Sequence, residues 1–187
     1  MSEPVYVIQS IYDGAQGAPY DEILSIAVCK ADLDEGGIEV VLDGTVKADT
    51  RSIGKVKLDY AESRGLNVPS LFEGTPLPEL AESLRDVVKG CRVTSYDTDQ
   101  QFTKYLLNDP WNLTTLVTVL PPISGRQPIS LRCKRPEDET DRIVKAYKKA
   151  YRNDPLQIGR ARGAVQLARM SSKVMLSLYE RGKYKLP

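Results

Sequence analysis

Along the first third of the chain the apolar residues come in short blocks rather than helical stripes. Val5 to Ile11 is a β-branched apolar run ended by Asp13-Gly14, and it predicts a strand running into a turn. Ile23 to Ala31 and Ile38 to Val46 predict two more strands, joined by Asp34-Glu35-Gly36-Gly37 as a hairpin connection. Between Thr50 and Thr75 the pattern is broken by Gly54, Gly65, Pro69 and Gly74, which points to short helical pieces, one of them around Asp59 to Arg64. Leu77, Leu80, Leu84, Val87 and Val88 then recur at helical spacing, with Thr75 and Pro76 as cap and first-turn proline and Gly90 as the stop.

The second half alternates in the same way. Arg92 to Tyr96 predicts a short fourth strand, after which Asp97 or Asp99 caps a helix carrying Phe102, Tyr105, Leu106 and Leu107. Leu113 to Leu120 predicts a fifth strand, stopped by Pro121-Pro122. Residues 121–136 contain four prolines and are expected to be an exposed loop. Pro136-Glu137-Asp138 opens a helix whose buried face is Ile143, Tyr147, Ala150 and Tyr151, with acidic residues in its first turn. After Asp154-Pro155 a last long helix runs to about Arg181. The order β-β-β-α-β-α-β-α-α predicts an α/β fold, a mixed sheet flanked by helices, in a single domain over residues 1–187 whose end, 182–187, is expected to be a flexible tail.

Composition narrows the chemistry. The 187 residues are 41% hydrophobic and 27% charged, as in an ordinary globular protein, with no apolar run long enough to span a bilayer. The start, Met1-Ser2-Glu3-Pro4, does not read as a signal peptide, and Cys29, Cys91 and Cys133 are odd in number and far apart. Both features lead to the expectation of an intracellular protein, cytoplasmic or in a nucleoid or nucleus, with reduced thiols. The chain has no histidine, which excludes Ser-His-Asp, Cys-His and H-E-x-x-H chemistry. Its net charge of +1 hides an asymmetry: residues 1–131 hold 11 basic and 19 acidic side chains, whereas residues 132–187 hold 15 and 6. A basic C-terminal third suits a polyanion or an acidic partner, and equally two helices with solvated basic faces.

Several short segments carry a family resemblance. Arg162-Gly163-Ala164-Val165-Gln166-Leu167-Ala168 has the shape of an H-x-A-x-x-D-A motif, Arg64-Gly65-Leu66 that of a His-Gly-Ile segment, and Ser95 to Phe102 stands where an H-N-x-x-F-D motif would follow a short strand. Tyr6 to Gly14 takes the place of a first strand bearing Asp-x-Glu. In order and spacing, from Val5 to Tyr179, the chain resembles the DnaQ-like (DEDD) 3′→5′ exonucleases. That resemblance implies a ribonuclease H-like fold with a mixed five-stranded sheet.

In such nucleases four carboxylates hold two divalent cations roughly 3.5–4 Å apart, and a neighbouring histidine or tyrosine serves the attacking water. Here the first pair becomes Gln9 and Ile11. The third position is Gln101 or Phe102, the fourth is Leu167, and Arg162 replaces the histidine. Amide, apolar and guanidinium groups are poor ligands for hard cations. The resemblance therefore implies a degenerate member with no catalytic residues and no cofactor. It would act as a nucleic-acid-binding or structural component of a nucleic-acid-processing assembly.

Its partners would be single-stranded DNA or RNA, or a larger protein assembly, and no membrane. The cations expected to meet phosphates are Arg126, Arg132, Lys134, Arg135, Arg160, Arg162, Arg169 and Lys173, bordering the former substrate groove, with Tyr12 and Tyr96 beside it to stack on bases. Two alternatives stand beside this reading. One is an active Mg²⁺- or Mn²⁺-dependent exonuclease with its site rebuilt from Asp13, Asp97 and Asp99, residues that also suit a turn and helix caps. The other is a protein-docking module unrelated to nucleic acid.

Overall fold

The structure, a computed structural model, describes residues 2–152 and 163–187. Five strands form one sheet: β1 (Val5–Tyr12), β2 (Ile23–Ala31), β3 (Ile38–Thr45), β4 (Arg92–Thr94) and β5 (Thr118–Val119), in the order β3-β2-β1-β4-β5. β1 is antiparallel to β2 and β2 to β3, whereas β4 runs parallel to β1 and β5 parallel to β4. The meander and the mixed sheet expected from the apolar pattern are both present. The short helices α1 (Thr50–Ile53) and α2 (Lys55–Ser63) fill the irregular stretch, followed by α3 (Leu77–Val88), α4 (Glu139–Ala150) and α5 (Ala164–Glu180).

Alternation along the central strands builds two cores. Val5, Val7 and Ile11 of β1 join Ile143, Val144 and Tyr147 of α4 and Leu167, Met170, Val174 and Met175 of α5 on one face. Ile8 of β1 and Ile26 and Val28 of β2 join Leu80, Leu84 and Val88 of α3 and Phe102, Tyr105 and Leu106 on the other. The two-residue period of a strand thus feeds helices on both sides of the sheet. Phe102, Tyr105 and Leu106 lie on a wide π-helical segment, Asp99–Leu106, and Trp111 is buried beside it.

Local readings depart from the structure in four places. The fifth strand is much shorter than Leu113 to Leu120, because its first residues form a turn (Leu116 N–H to Leu113 C=O, 3.0 Å) and only Thr118–Val119 pairs with β4. Thr75 does not cap α3. Its N–H is spent on Thr45 C=O (2.8 Å) and its C=O on Lys47 N–H (2.8 Å), as a bridge beside Val46. The neighbouring Gly74 permits that bridge, since a Cβ there would lie 2.6 Å from backbone atoms of residues 45–47. Residues 121–136 are not simply an exposed loop: they contain two 3-10 turns and the start of a third, and Ile123, Ser124, Gln127 and Leu131 are buried.

The fourth departure is the tail, expected to be flexible. Gly182, at φ +65°, ends α5 in the left-handed conformation, and the N–H groups of Lys183 and Tyr184 both return to Leu178 C=O. Tyr184 is then 1% exposed, its hydroxyl 2.7 Å from Pro121 C=O and 3.1 Å from Thr94 Oγ1. Tyr184→Ala is expected to lower the unfolding free energy by about 3 kcal/mol through lost burial, and Tyr184→Phe by about 1 kcal/mol through the lost hydrogen bond. Urea denaturation read by circular dichroism checks both.

Candidate functional site

β1 and the π-helical segment bring Gln9 and Gln101 together, two of the positions that the resemblance aligns with metal-binding carboxylates. Gln9 and Gln101 are 1% and 0% exposed, and the buried polar groups around them form one network. Gln101 Oε1 accepts from the Ser10 backbone N–H (3.1 Å) and from the Ser10 hydroxyl. Its Nε2 donates to both carboxylate oxygens of Glu139, at 3.0 and 3.3 Å. With the Gln9 amide oriented to satisfy its neighbours, its nitrogen donates to Glu139 Oε1 (3.2 Å), and its oxygen accepts from Tyr96 N–H (2.8 Å) and the Ser171 hydroxyl (3.2 Å).

Glu139 is the centre of this network, and its charge partner is Arg64. Arg64 Nη2 lies 3.2 Å from Glu139 Oε2, with the two side chains 4% and 1% exposed. The same Nη2 donates to the Tyr12 hydroxyl (3.0 Å), which in turn donates to Glu139 Oε2 (3.1 Å), while Nη1 donates to Pro136 C=O (2.6 Å). The guanidinium also lies 4.6 Å from the Tyr12 ring centroid, and that ring stacks on Tyr105 at 4.8 Å. Each carboxylate oxygen thus has at least two donors, as a buried anion requires. Even so, burial outweighs the attraction of Arg64 and pushes the Glu139 carboxyl up to about 7, and burial likewise raises the Tyr12 phenol.

Local sequence explains how these groups arrive. Arg64 is the C-terminal cap of α2, where the short helix turns over Gly65 at φ +104°. Glu139 is the first residue of α4 and faces inward with Thr140, Ile143 and Val144. The sequence reading takes the acidic residues of this first turn as suiting the helix dipole and places Arg64 only within the Arg64-Gly65-Leu66 segment, so it does not foresee the pair. The available signal was the apolar spacing Glu139-Ile143-Tyr147 at i, i+4, i+8, which puts Glu139 on the buried face.

The other aligned positions carry no ligand chemistry. Ile11 and Leu167 are 0% and 2% exposed and belong to the same apolar core. Phe102, the alternative to Gln101, is buried in the opposite core. Arg162 and Arg160 lie outside the described residues. The three candidate replacement acids form no cluster suited to a metal ion among the described residues. Asp13 accepts from Glu22 N–H (2.8 Å) and sits 3.7 Å from Lys57 Nζ. Asp97 accepts from Gln100 N–H at the start of the π-helical segment, and Asp99 is exposed. Among the described residues no group of three or more Cys, Asp or Glu is placed to hold a metal ion. A neutral amide pair, two aliphatic side chains and a guanidinium do not fit the two-cation centre of the family.

Beside this network, Ile11, Leu66, Ala164 and Val165 line a cavity of about 600 Å³. Its charged lining is Asp43 and Glu62, and none of the described cations expected at the groove lines it. Those cations are dispersed. Arg126 lines a different cavity. Arg132 Nε donates to Gln127 C=O (2.9 Å), Arg135 pairs with Asp138 (3.1 Å), and Lys134 and Arg169 are exposed. Lys173 lies 5.4 Å from the Tyr151 ring. Tyr12 and Tyr96 are both 0% exposed, so neither presents a ring for base stacking: Tyr12 is held in the Arg64 network, and the Tyr96 hydroxyl donates to Leu131 C=O (2.7 Å).

Comparison with solved structures agrees with this architecture. The structure described as 3′-end-specific recognition of histone mRNA stem-loop by 3′-exonuclease matches with a TM-score of 0.64 at 11% identity, over 98% of this chain and 85% of that one. Cell-death related nuclease 4 (CRN-4) matches at 0.62 and 13% identity, over 96% of this chain and 64% of that one. A full-length 3′-exonuclease matches at 0.57 and 10% identity, over 97% and 62%. The chain spans less than two thirds of the last two proteins. No protein-family model and no curated protein matches the sequence. The chain has the ribonuclease H-like α/β fold of these exonucleases.

The buried pair predicts a specific energetic pattern. Arg64→Met or Glu139→Leu alone leaves an uncompensated charge in the interior and is expected to cost about 3–5 kcal/mol, whereas the double variant recovers most of that loss. Urea denaturation of the four proteins gives the double-mutant cycle. The native state also holds the Glu139 proton at pH values where the unfolded chain, at an ordinary 4.5, has released it. Stability is therefore expected to fall as pH rises from about 4.5 to about 7, and Glu139→Gln to flatten that slope.

Proposed function

We propose that this chain is a catalytically inactive exonuclease-like protein, a nucleic-acid-binding or structural component of a nucleic-acid-processing assembly. The observation that carries the reading is the Arg64–Glu139 pair. A guanidinium and a carboxylate whose oxygens are taken up by protein donors fill the region where the aligned Gln9 and Gln101 meet. A divalent cation placed there would have to displace Arg64 from Glu139 and would find that one carboxylate beside two amides, an isoleucine and a leucine, where the two-cation centre uses four carboxylates.

The metal-independent reading also accounts for the apolar side chains at Ile11 and Leu167. Removing a carboxylate from a two-metal centre leaves uncompensated buried polarity, and aliphatic replacements at two positions convert that part into ordinary core. The fold supports a link to nucleic acids by analogy alone, since folds host many functions. The basic C-terminal third and the nucleic-acid-related structural neighbours support the same direction.

Purified protein incubated with end-labelled single-stranded DNA and RNA in Mg²⁺ or Mn²⁺ is expected to leave both substrates full length. Shortening from the 3′ end that disappears on substituting Glu139, Asp13, Asp97 or Asp99 would establish an active enzyme with relocated ligands and overturn this reading.

A further inference from the structure

Arg126, Lys149, Arg181 and Lys183 line one small cavity of about 100 Å³, together with Gln127 and Ser177 and no Asp or Glu. They come from four places: a 3-10 turn after β5, the last turn of α4, the C-terminal cap of α5, and the chain just beyond it. Among the described residues none of the four forms an ion pair. At ~30 Å³ per water, the cavity holds the volume of about three waters, enough for one tetrahedral oxyanion.

The supports of this cavity are fixed. Arg126 and Gln127 are held by backbone hydrogen bonds to Ile123 and Ser124 C=O (3.1 and 3.0 Å). Lys183 is placed by the turn over Gly182 and by the buried Tyr184 that follows it. Complementing helix dipoles accounts for Lys149 and Arg181, each at the C-terminal end of a helix. It does not account for Arg126 or Lys183, which belong to neither helix. The four side chains are exposed and carry like charge around one recess with no carboxylate lining it, so an anion seated there would meet cations from several elements at once.

We propose that this recess binds a phosphate group of single-stranded nucleic acid. α5 carries Ala164 and Val165 at the cavity beside the Arg64–Glu139 network and Ser177 and Leu178 at the basic recess, about 20 Å apart along a helix rising 1.5 Å per residue. The polyanion contact is thus at the opposite end of α5 from the cavity beside the Arg64–Glu139 network, whose charged lining among the described residues is Asp43 and Glu62. The proposal builds on the nucleic-acid-binding part of the function proposed above and is independent of whether the chain cleaves.

Two titrations test it, inorganic phosphate by calorimetry in chloride buffer and a fluorescein-labelled single-stranded oligonucleotide by anisotropy over a range of salt. The protein, the variant Lys149→Gln/Arg181→Gln and the control Arg51→Gln/Lys89→Gln are compared after their melting curves confirm folding. Lys149→Gln/Arg181→Gln is expected to weaken phosphate binding by about tenfold or more. It is also expected to reduce the steepness of log K against log salt for the oligonucleotide by about 1.4. The control should match the unmodified protein in both. Phosphate binding lost in the recess variant with no oligonucleotide binding by any protein would retain the anion recess and overturn its nucleic-acid assignment. Oligonucleotide binding equal in all three proteins would overturn the recess and leave the broader function standing. Absence of phosphate binding, or phosphate binding unchanged in the recess variant, would overturn the proposal outright.

Discussion

The arrangement around the centre of the sheet depends on the Arg64–Glu139 ion pair. A guanidinium and a carboxyl, 4% and 1% exposed, are accommodated there because Tyr12, Gln101 and Gln9 supply the remaining donors and Pro136 C=O takes the second guanidinium nitrogen. The pair joins the end of α2 to the start of α4 across the end of β1. In doing so it ties the irregular stretch 50–75 to the C-terminal helices. Its net stabilisation is modest, since desolvation offsets much of the Coulomb attraction, but removing either partner alone is costly. That asymmetry makes the pair a strong constraint on sequence.

A two-metal nuclease centre gathers negative charge and neutralises it with cations taken from solution. Here the aligned positions hold two amides, and one carboxylate from another element is neutralised by a cation that the chain itself provides. The site is thus polar, and its one carboxylate is met by protein donors. Among the described residues the adjoining cavity has Asp43 and Glu62 in its lining, and four cations line a separate recess at the far end of α5. The sheet and helices follow the fold of the exonuclease structures, and the charge at the centre of the sheet is set by the Arg64–Glu139 pair.

How much of this was legible in the residues differs from element to element. β2 and α3 were read to their observed ends, because Ile23–Ala31 is a continuous apolar run and Leu77–Val88 has a clear helical period. The fifth strand was overestimated because Leu113 to Leu120 has the composition of a strand, and composition does not show that its first half turns back on itself. The tail was misread because Gly182 and the lysines around Tyr184 look like a frayed end, and only the hydroxyl's partners, Thr94 and Pro121, lie far away in sequence.

The sequence by itself determined the layered α/β order, the absence of histidine chemistry, and the amide and apolar side chains that stand at Gln9, Ile11, Gln101 or Phe102, and Leu167. These are properties of single positions or of short periodic windows, and local chemistry suffices to read them. Only the tertiary structure decided that Arg64 and Glu139 meet, 75 residues apart, and that Tyr12 and Tyr96 are sealed in the interior. It alone brought Arg126, Lys149, Arg181 and Lys183 to one recess. The physical reason is the same in each case: which groups meet depends on distances between residues remote in sequence, and periodicity can mark a buried face, as at Glu139, without naming the partner across it.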